Sequence, residues 1–474
     1  MYKNYDIAII GSGPGGYVAA LHAAHLGKSV CIIEKGAIGG TCLNRGCIPT
    51  KAYAASRDNL KQVKEAGAFG IDVSSFKVDF GAIFERKNRI VTDVRKSVIA
   101  LLNGNRVDIV QGNGRLIDNN TILAVNKKDG HETKISADNI IIATGSKPLN
   151  IPSLKIDHDR ILTSSDVLKM NTLPRELVII GGGIIGCEFA SIFSAFGVKV
   201  TIVELMDSIL ATVDPQAAGI IKRRFRRDGI SVITGVKVED IDVKGESVKL
   251  SLSNSETLST EKVLVSVGRS PNTAGIGLED LGIELDGNKI IVDQEQRTNI
   301  KNIFAIGDVT HGPMLAHKAS DDGVRPVNAA AVRVHEEEPS QNVPSVVFTD
   351  PEIAYVGMSE TQIKESGIEY ICGKVSYSSS SKAHCIGETD GLIKVIAKKD
   401  NGVIIGATIC GAHASDLIYG LGVAISRGMK AKDVHSTIFA HPTLSELVKE
   451  ALEDIDGLAI HKIAKQKSPK NRKE

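Results

Sequence analysis

The chain has 474 residues, enough for three or four domains of ordinary size with ample core. Its 57 Lys and Arg nearly balance 56 Asp and Glu, leaving a net charge of +1, a balance that lends no support to a general nucleic-acid or membrane-surface role. No apolar run is long enough to cross a bilayer, Asp6 leaves no room for a signal peptide before the first strand, and seven scattered cysteines suit a reducing compartment, so the expected location is the cytoplasm.

Tyr5 to Ile10 reads as a strand that runs straight into Gly11-Ser12-Gly13-Pro14-Gly15-Gly16 and then an alanine-rich helix. In that pattern Gly11 permits a tight turn, Gly13 lets backbone approach a pyrophosphate, and Gly16 lets helix pack on strand. The helix start then offers unpaired N–H groups and a positive dipole end to phosphate. A second strand, Val30 to Ile33, ends at Glu34, placed to bind ribose hydroxyls. The whole arrangement recurs: Leu177 to Ile180 leads to Gly181, Gly183 and Gly186, and Val200 to Val203 ends at Glu204. First glycine and acid keep the same separation in both copies (11 to 34, 181 to 204). One such pattern is weak evidence, but two in matching context predict an α/β protein with two Rossmann-like dinucleotide-binding domains.

Cys42 and Cys47 fall in the segment by which the first copy exceeds the second. Cysteines at i and i+5 on a regular helix have Cα atoms roughly 8.5 Å apart, too far for a disulfide. A bridge would require a distorted turn around Gly46, and such a bond is readily reduced. Two unrelated thiols or half a metal site are the bland alternatives, though no second cysteine pair with zinc spacing exists and no metal is expected. The segment belongs at the carboxyl end of the strands, where parallel sheets bind ligands. A redox disulfide there must exchange electrons with the first cofactor, and FAD can accept two electrons from thiols.

Ile300 to Val309 reads as a strand ending at Gly307-Asp308, where the bland reading of Asp308 is a turn or helix cap. Beyond Pro344, strand-like runs at 345–348, 352–358, 391–398 and 403–409, with helices at 416–427 and 444–458, predict a separate α+β domain. The serine run 376–381 reads as a mobile loop, the basic run 222–227 as the wet face of a helix, and the lysine-rich tail as disordered. His441-Pro442-Thr443-Leu444-Ser445-Glu446 holds a histidine suited to deprotonating a thiol near neutral pH. Thr443 to Glu446 also reads as a capping box, which would make Glu446 purely structural.

Gly39 to Lys51, the paired glycine motifs, Ala143-Thr144-Gly145, Val267-Gly268-Arg269-Ser270-Pro271-Asn272, the Gly307-Asp308 strand with Met314 to Ala319, Phe348 to Glu352 and the His441 run together resemble the flavin-dependent pyridine nucleotide disulfide oxidoreductases. The resemblance extends to about Leu458. It implies that Cys42 meets substrate and Cys47 lies beside the flavin, that Lys51 sits at the flavin ring and pairs with Glu188, and that His441 and Glu446 form an acid/base dyad contributed by the opposite subunit of a homodimer. Gly11, Gly13, Gly16, Glu34, Lys51, Thr144, Gly145, Asp308 and Ala316 would hold FAD; Gly181, Gly183, Gly186, Glu204 and Gly268 would hold NAD. Glu204 favours the free ribose of NAD over the 2′-phosphate of NADP.

The implied domains are 1–150 (FAD, with the redox pair), 151–272 (NAD), 273–342 (completing the FAD site), 343–460 (dimerisation) and a tail, 461–474. Within the family the branch expected is the one that oxidises dihydrolipoyl groups with NAD+, partnered by lipoyl-carrying subunits of 2-oxoacid dehydrogenase complexes or the glycine cleavage protein. Glutathione-type reductases usually draw on NADPH, which Glu204 opposes. A mercuric reductase would need a C-terminal cysteine pair, and a non-enzymatic scaffold has no use for Cys42, Cys47, Lys51 and His441. The Arg325-Pro326-Val327-Asn328 stretch departs from the small apolar residues the family pattern leads one to expect.

Overall fold

A computed structural model describes residues 3–331 and 342–462. The chain folds as two compact units: Met1–Gly181, Ala195–Lys199 and Val238–Pro339 form one, and Gly182–Ser194, Val200–Lys237 and Ser340–Glu474 the other. Most of the tail foreseen at 461–474 lies outside the described residues.

The first unit is built on a seven-stranded sheet. Strands β1 (Lys3–Ile10), β2 (Val30–Glu34), β3 (Asp108–Gln111), β4 (Asn113–Leu116), β5 (Thr121–Val125) and β6 (Glu132–Ile142) run in the order β3-β2-β1-β6-β5-β4, and Ile303–Ala305 adds to β6. The β3, β2, β1 and β6 pairings are parallel, as is that of Ile303–Ala305, while β4 and β5 turn back antiparallel. All five residues of β2 are buried, as expected of a parallel strand covered on both faces. Helix α1 (Pro14–His25) covers one face with Gly15, Gly16, Ala19, Ala20 and Ala23, residues small enough for close approach.

That closeness extends to the helix Ala316–Ala330. A Cβ on Gly15 would lie 2.7 Å from the Ala319 carbonyl, and one on Gly323 would lie 2.6 Å from that of Gly15. The unusual 325–328 stretch is absorbed inside this helix. Pro326 and Val327 are buried, and Asn328 meets the His22 ring at 2.7 Å. In the same unit Glu176–Ile180 pairs parallel with Lys262–Val265, which pairs parallel with Ile161–Thr163.

In the second unit Thr201 to Val203 pairs parallel with Ser231 to Ile233. An antiparallel five-stranded sheet follows, in the order Ser345–Val347, Glu352–Gly357, Ile404–Gly411, Leu392–Lys398, Tyr370–Ser376. The helices Ala414–Ser426 and Ser445–Ile455 bury Ile418, Leu421, Leu447, Ala451 and Leu452 against it, giving the expected α+β arrangement. The serine run is not a loose loop. It ends a strand, forms a short turn of 3-10 helix around the fully buried Tyr377, and starts the helix Ser381–Cys385. Serine suits this because its hydroxyl caps: Ser376 accepts from Ser378 N–H and Ser380 from Ala383 N–H. The basic run is likewise more than a wet face, since Arg224 pairs with Asp350 at 2.8 Å and Arg227 pairs with Asp390. Sequence pattern marks the basic residues but not the carboxylates that the fold brings to them.

Candidate active site

Between β2 and β3 the chain makes three helices, α2 (Gly40–Arg45), α3 (Cys47–Glu65) and α4 (Phe80–Gly104). This is the extra length of the first copy. Gly46, with φ −146° and ψ −114°, is neither helical nor regularly extended, and it breaks what would otherwise be one helix between Cys42 and Cys47. The distorted turn required for the two sulfurs to meet is therefore built at the glycine. The Cys42 side chain hydrogen-bonds to that of Cys47 across the break.

That bond, then burial, then the charge of Cys47 push the Cys42 thiol's pKa far up, while the Lys51 ammonium acts in the opposite sense. When the pair is reduced, Cys42 thus keeps its proton and presents it to the Cys47 sulfur. Lys51 lies one turn into α3 from Cys47, and its charge reaches Cys42.

The segment is held against the first glycine turn. Gly39 (φ +99°) donates its N–H to the Ser12 carbonyl at 3.1 Å, and a Cβ on Gly40 (φ +61°) would lie 2.6 Å from Gly13 Cα. Asn44 stitches α2 to the preceding loop, donating to the carbonyls of Ile38 (3.0 Å) and Gly40 (2.9 Å).

The turn itself has the shape expected of a dinucleotide site. A Cβ on Gly11 would strike the Ala143 carbonyl at 2.3 Å and one on Gly16 the Gly11 carbonyl at 2.0 Å, whereas one on Gly13 would meet nothing within 4 Å. Two glycines thus serve the fold and the third leaves open space at the start of α1, a 12-residue helix whose N-cap offers no side chain to its first N–H groups. Glu34 folds back on this turn: Oε2 accepts from Ser12 N–H (3.0 Å) and Ser12 Oγ (2.6 Å), and Oε1 from Gly36 N–H (2.7 Å).

The second copy repeats the device. Within its unit, Glu204 Oε2 accepts from Gly182 N–H at 2.6 Å and Oε1 from Met206 N–H at 2.7 Å. A Cβ on Gly181 would lie 2.6 Å from the Ser266 carbonyl, while one on Gly183 would meet nothing within 4 Å, and Gly186 is buried in the helix Ile184–Ala195. Both sites therefore fit a dinucleotide diphosphate.

Asp308 accepts a hydrogen bond from Ser146 Oγ, which accepts in turn from Arg269 Nε at 2.7 Å; Arg269 Nη2 also donates to the Ser146 carbonyl at 2.8 Å. Thr144 Oγ1 donates to the Asn272 carbonyl at 2.7 Å and the Asn272 amide returns a bond to the Thr144 carbonyl at 3.0 Å, with Gly145 (φ +67°) in between. Gly268 takes φ +124°, and Ala316 opens the helix that packs on α1. Ser146 does not stand out in the sequence; the flanking Thr144-Gly145 and Gly268-Arg269 are its only signal.

In the second unit His441 Nδ1 lies 2.9 Å from Glu446 Oε1, and Glu446 Oε2 accepts from Thr443 N–H at 2.8 Å. The capping box is only half made. The helix starts at Ser445, and Thr443 Oγ1 donates instead to the Ala440 carbonyl. One Glu446 oxygen shapes the turn and the other orients the ring. Those two partners, Thr443 first, hold the Glu446 carboxyl below its ordinary range. Glu188 is buried and accepts from Phe348 N–H at 2.9 Å. Lys51 belongs to the first unit and Glu188 to the second.

A family description for pyridine nucleotide-disulphide oxidoreductases matches residues 5–323, and one for their dimerisation domain matches residues 343–452. The chain belongs to the pyridine nucleotide-disulphide oxidoreductase family. It is 43% identical to the dihydrolipoyl dehydrogenase of Geobacillus stearothermophilus over 97% of this chain and 98% of that protein. It is 39% identical to the dihydrolipoyl dehydrogenase of Bacillus subtilis (strain 168), over 96% of this chain and 97% of the other. Among solved structures, LpdA from Mycobacterium tuberculosis superposes with a TM-score of 0.89 at 29% identity, covering 95% of this chain and 99% of that one. As a pyridine nucleotide-disulphide oxidoreductase the chain uses FAD and a nicotinamide dinucleotide, and it carries the family's dimerisation domain. Among the described residues, no helix is long and apolar enough to cross a membrane.

Proposed function

We propose that the protein is an NAD-dependent dihydrolipoyl dehydrogenase, active as a homodimer and serving lipoyl-carrying subunits of a 2-oxoacid dehydrogenase complex or a glycine cleavage system in the cytoplasm. The observation that carries this reading is the thiol pair hydrogen-bonded across the Gly46 break, with the Lys51 charge acting on it, at the carboxyl end of a dinucleotide-binding sheet. The relatives named dihydrolipoyl dehydrogenase support the substrate class. Residues 1–150, 151–272, 273–342 and 343–460 are assigned to FAD, NAD, completion of the FAD site and dimerisation.

The chain's own residues divide the work. His441, oriented by Glu446, removes a proton from the substrate dithiol. The resulting thiolate attacks Cys42 Sγ of the oxidised pair, breaking the Cys42–Cys47 bond and forming a mixed disulfide, with Cys47 leaving as thiolate. The second substrate thiol closes the substrate's own disulfide ring and releases Cys42, which takes up the proton. Lys51 holds positive charge near the thiolate. FAD held by the first glycine turn would supply the two-electron chemistry that links the thiol pair to NAD+.

For the cofactors, Gly11, Gly13, Gly16, Glu34, Lys51, Thr144, Gly145, Asp308 and Ala316 are assigned to FAD. Gly181, Gly183, Gly186, Glu204 and Gly268 are assigned to NAD, the acid at 204 disfavouring a 2′-phosphate. The deciding assay compares dihydrolipoamide plus NAD+ with oxidised glutathione plus NADPH on the flavin-loaded protein. Turnover with the first pair alone is expected; turnover with only the second would reassign the protein to another branch.

A further inference from the structure

The break at Gly46 leaves Cys42 and Cys47 on separate helices, so the spacing of their sulfurs depends on what holds α2 and α3 in place. One helix reaches both. As residue number rises along α4 it falls across the break. Arg86 Nη1 donates to the Ala52 carbonyl of α3 at 3.1 Å, and Lys87 Nζ stands 5.6 Å from the centre of the Tyr53 ring. About two and a half turns farther along, Arg95 Nη1 donates to Asn44 Oδ1 of α2 at 3.2 Å. Lys87 is itself buried and donates to the Leu168 carbonyl at 2.7 Å, which fixes α4 in turn.

The Asn44 amide is fully engaged. Its N–H groups go to the carbonyls of Ile38 and Gly40, with the Ala37 carbonyl at 3.3 Å, in the loop that Gly39 ties to Ser12. Its oxygen takes the Arg95 bond. A guanidinium has donors only, so it fixes which end of the amide faces the loop, and its charge polarises the amide so that the N–H groups bond more strongly. With only six residues, α2 is too short to keep its shape unaided, so the place of Cys42 depends on such ties.

We propose that Arg95 is a positioning residue for the redox pair: through Asn44 it holds α2, and with it Cys42, within bonding reach of Cys47 while the disulfide opens and closes. The proposal rests on the reading of Cys42 and Cys47 as that disulfide. When closed, the bond ties α2 to α3 covalently; when open, α2 is held by hydrogen bonds alone. Losing the Arg95 bond therefore frees the open form more than the closed one and shifts the pair toward dithiol.

The test equilibrates flavin-loaded protein, without oxygen, in mixtures of reduced and oxidised dithiothreitol. Iodoacetamide then blocks the free thiols, and peptide mass spectrometry reads the blocked fraction of Cys42 and Cys47. In that exchange the protein disulfide takes two electrons and two protons from the dithiol, which closes to its own cyclic disulfide. Arg95→Met, which keeps the length and loses the donors, is expected to lower the constant for closing the protein disulfide about three- to tenfold, the scale of one intramolecular hydrogen bond. Arg95→Lys keeps a donor and falls between Arg95→Met and wild type. Asn44→Ala lowers the constant at least as far, and adding Arg95→Met to it changes nothing further, because the arginine acts through that amide. A wild-type closing constant in Arg95→Met overturns the proposal, whatever the melting temperature. So does an undiminished effect of Arg95→Met in the Asn44→Ala background, since Arg95 would then act by another route. A wild-type protein whose Cys42 and Cys47 form no disulfide in any of the mixtures would defeat the redox reading itself, and the proposal with it.

Discussion

Glu446 is bound by two partners at once: one oxygen lies 2.9 Å from His441 Nδ1 and the other accepts the Thr443 N–H at 2.8 Å. The same carboxylate therefore closes the turn that presents the histidine and fixes the tilt of its ring, leaving Nε2 free for the proton transfer proposed for it. The histidine side chain is 70% exposed and so open to an incoming substrate.

His441→Gln should lower dihydrolipoamide oxidation by about a hundred- to ten-thousandfold, the usual worth of a positioned acid or base. Glu446→Gln should cost less, because the amide can still bond to the ring while the charge that stabilises an imidazolium is gone. Because Glu446 ionises below the ordinary carboxylate range, that charge is present throughout neutral pH. Steady-state rates across pH, alongside NADH-driven reduction of ferricyanide, separate the two roles. The ferricyanide reaction needs no dithiol and should persist in both variants; its loss would place the damage elsewhere.

Cys47→Ser should give protein that still binds FAD and forms no NADH from dihydrolipoamide. Cys47→Ala, which unlike serine leaves no acceptor, also removes the hydrogen bond that is the first cause of Cys42's suppressed acidity. In Cys47→Ala, Cys42 should therefore be alkylated by iodoacetamide at lower pH than in the reduced wild type, followed by mass spectrometry of the tryptic peptides. A Cys42 that reacts no more readily in the variant would show that burial alone governs it.

Both glycine turns, their acids and the cysteine pair are legible because their chemistry depends on residues close in sequence: Gly11 with Glu34, Cys42 with Cys47, His441 with Glu446. What escapes a reading of the sequence depends on distant partners. Ser146 carries no pattern of its own and gains a part only when the fold brings Asp308 and Arg269 to its hydroxyl. The serine run at 376–381 reads as mobile because composition cannot show that Tyr377, in its midst, is fully buried and donates to the Ala412 carbonyl at 2.9 Å.

A buried lysine in the second unit makes its stability sensitive to acid. Lys394 donates to Asp214 at 2.6 Å and to Glu360 at 2.9 Å. Hydrogen bonds from Lys394, then Lys364 and Tyr370, bring the Glu360 carboxyl from 4.5 down to about 2. A carboxylate with a depressed folded value stabilises the fold above its unfolded value and loses that contribution as pH falls through the folded one. Urea midpoints should decline as pH drops from about 4.5 toward 2, with Glu360→Gln flattening this limb. Lys394→Met should be less stable at neutral pH by roughly 3–5 kcal/mol, since it strands a buried Asp214 charge. Equal acid sensitivity in Glu360→Gln and wild type would remove Glu360 from the account.

Glu204 carries two duties that a single substitution can separate. Its carboxylate takes the N–H groups of Gly182 and Met206 and so shapes the second glycine turn; in the proposed assignment its charge also disfavours a 2′-phosphate. Glu204→Gln keeps one acceptor oxygen and discards the charge, so the fold should survive with a loss of about 1–3 kcal/mol for the imperfectly matched bonds. The preference for NAD+ over NADP+, read as the ratio of kcat/KM values, should fall because NADP+ improves once the charge is gone. Glu204→Ala provides the contrast: it should lose NAD+ binding without the turn being held, and its melting temperature should fall further. An unchanged nucleotide ratio in Glu204→Gln, in a protein that melts like wild type, would mean that the turn alone, without the charge, selects the nucleotide.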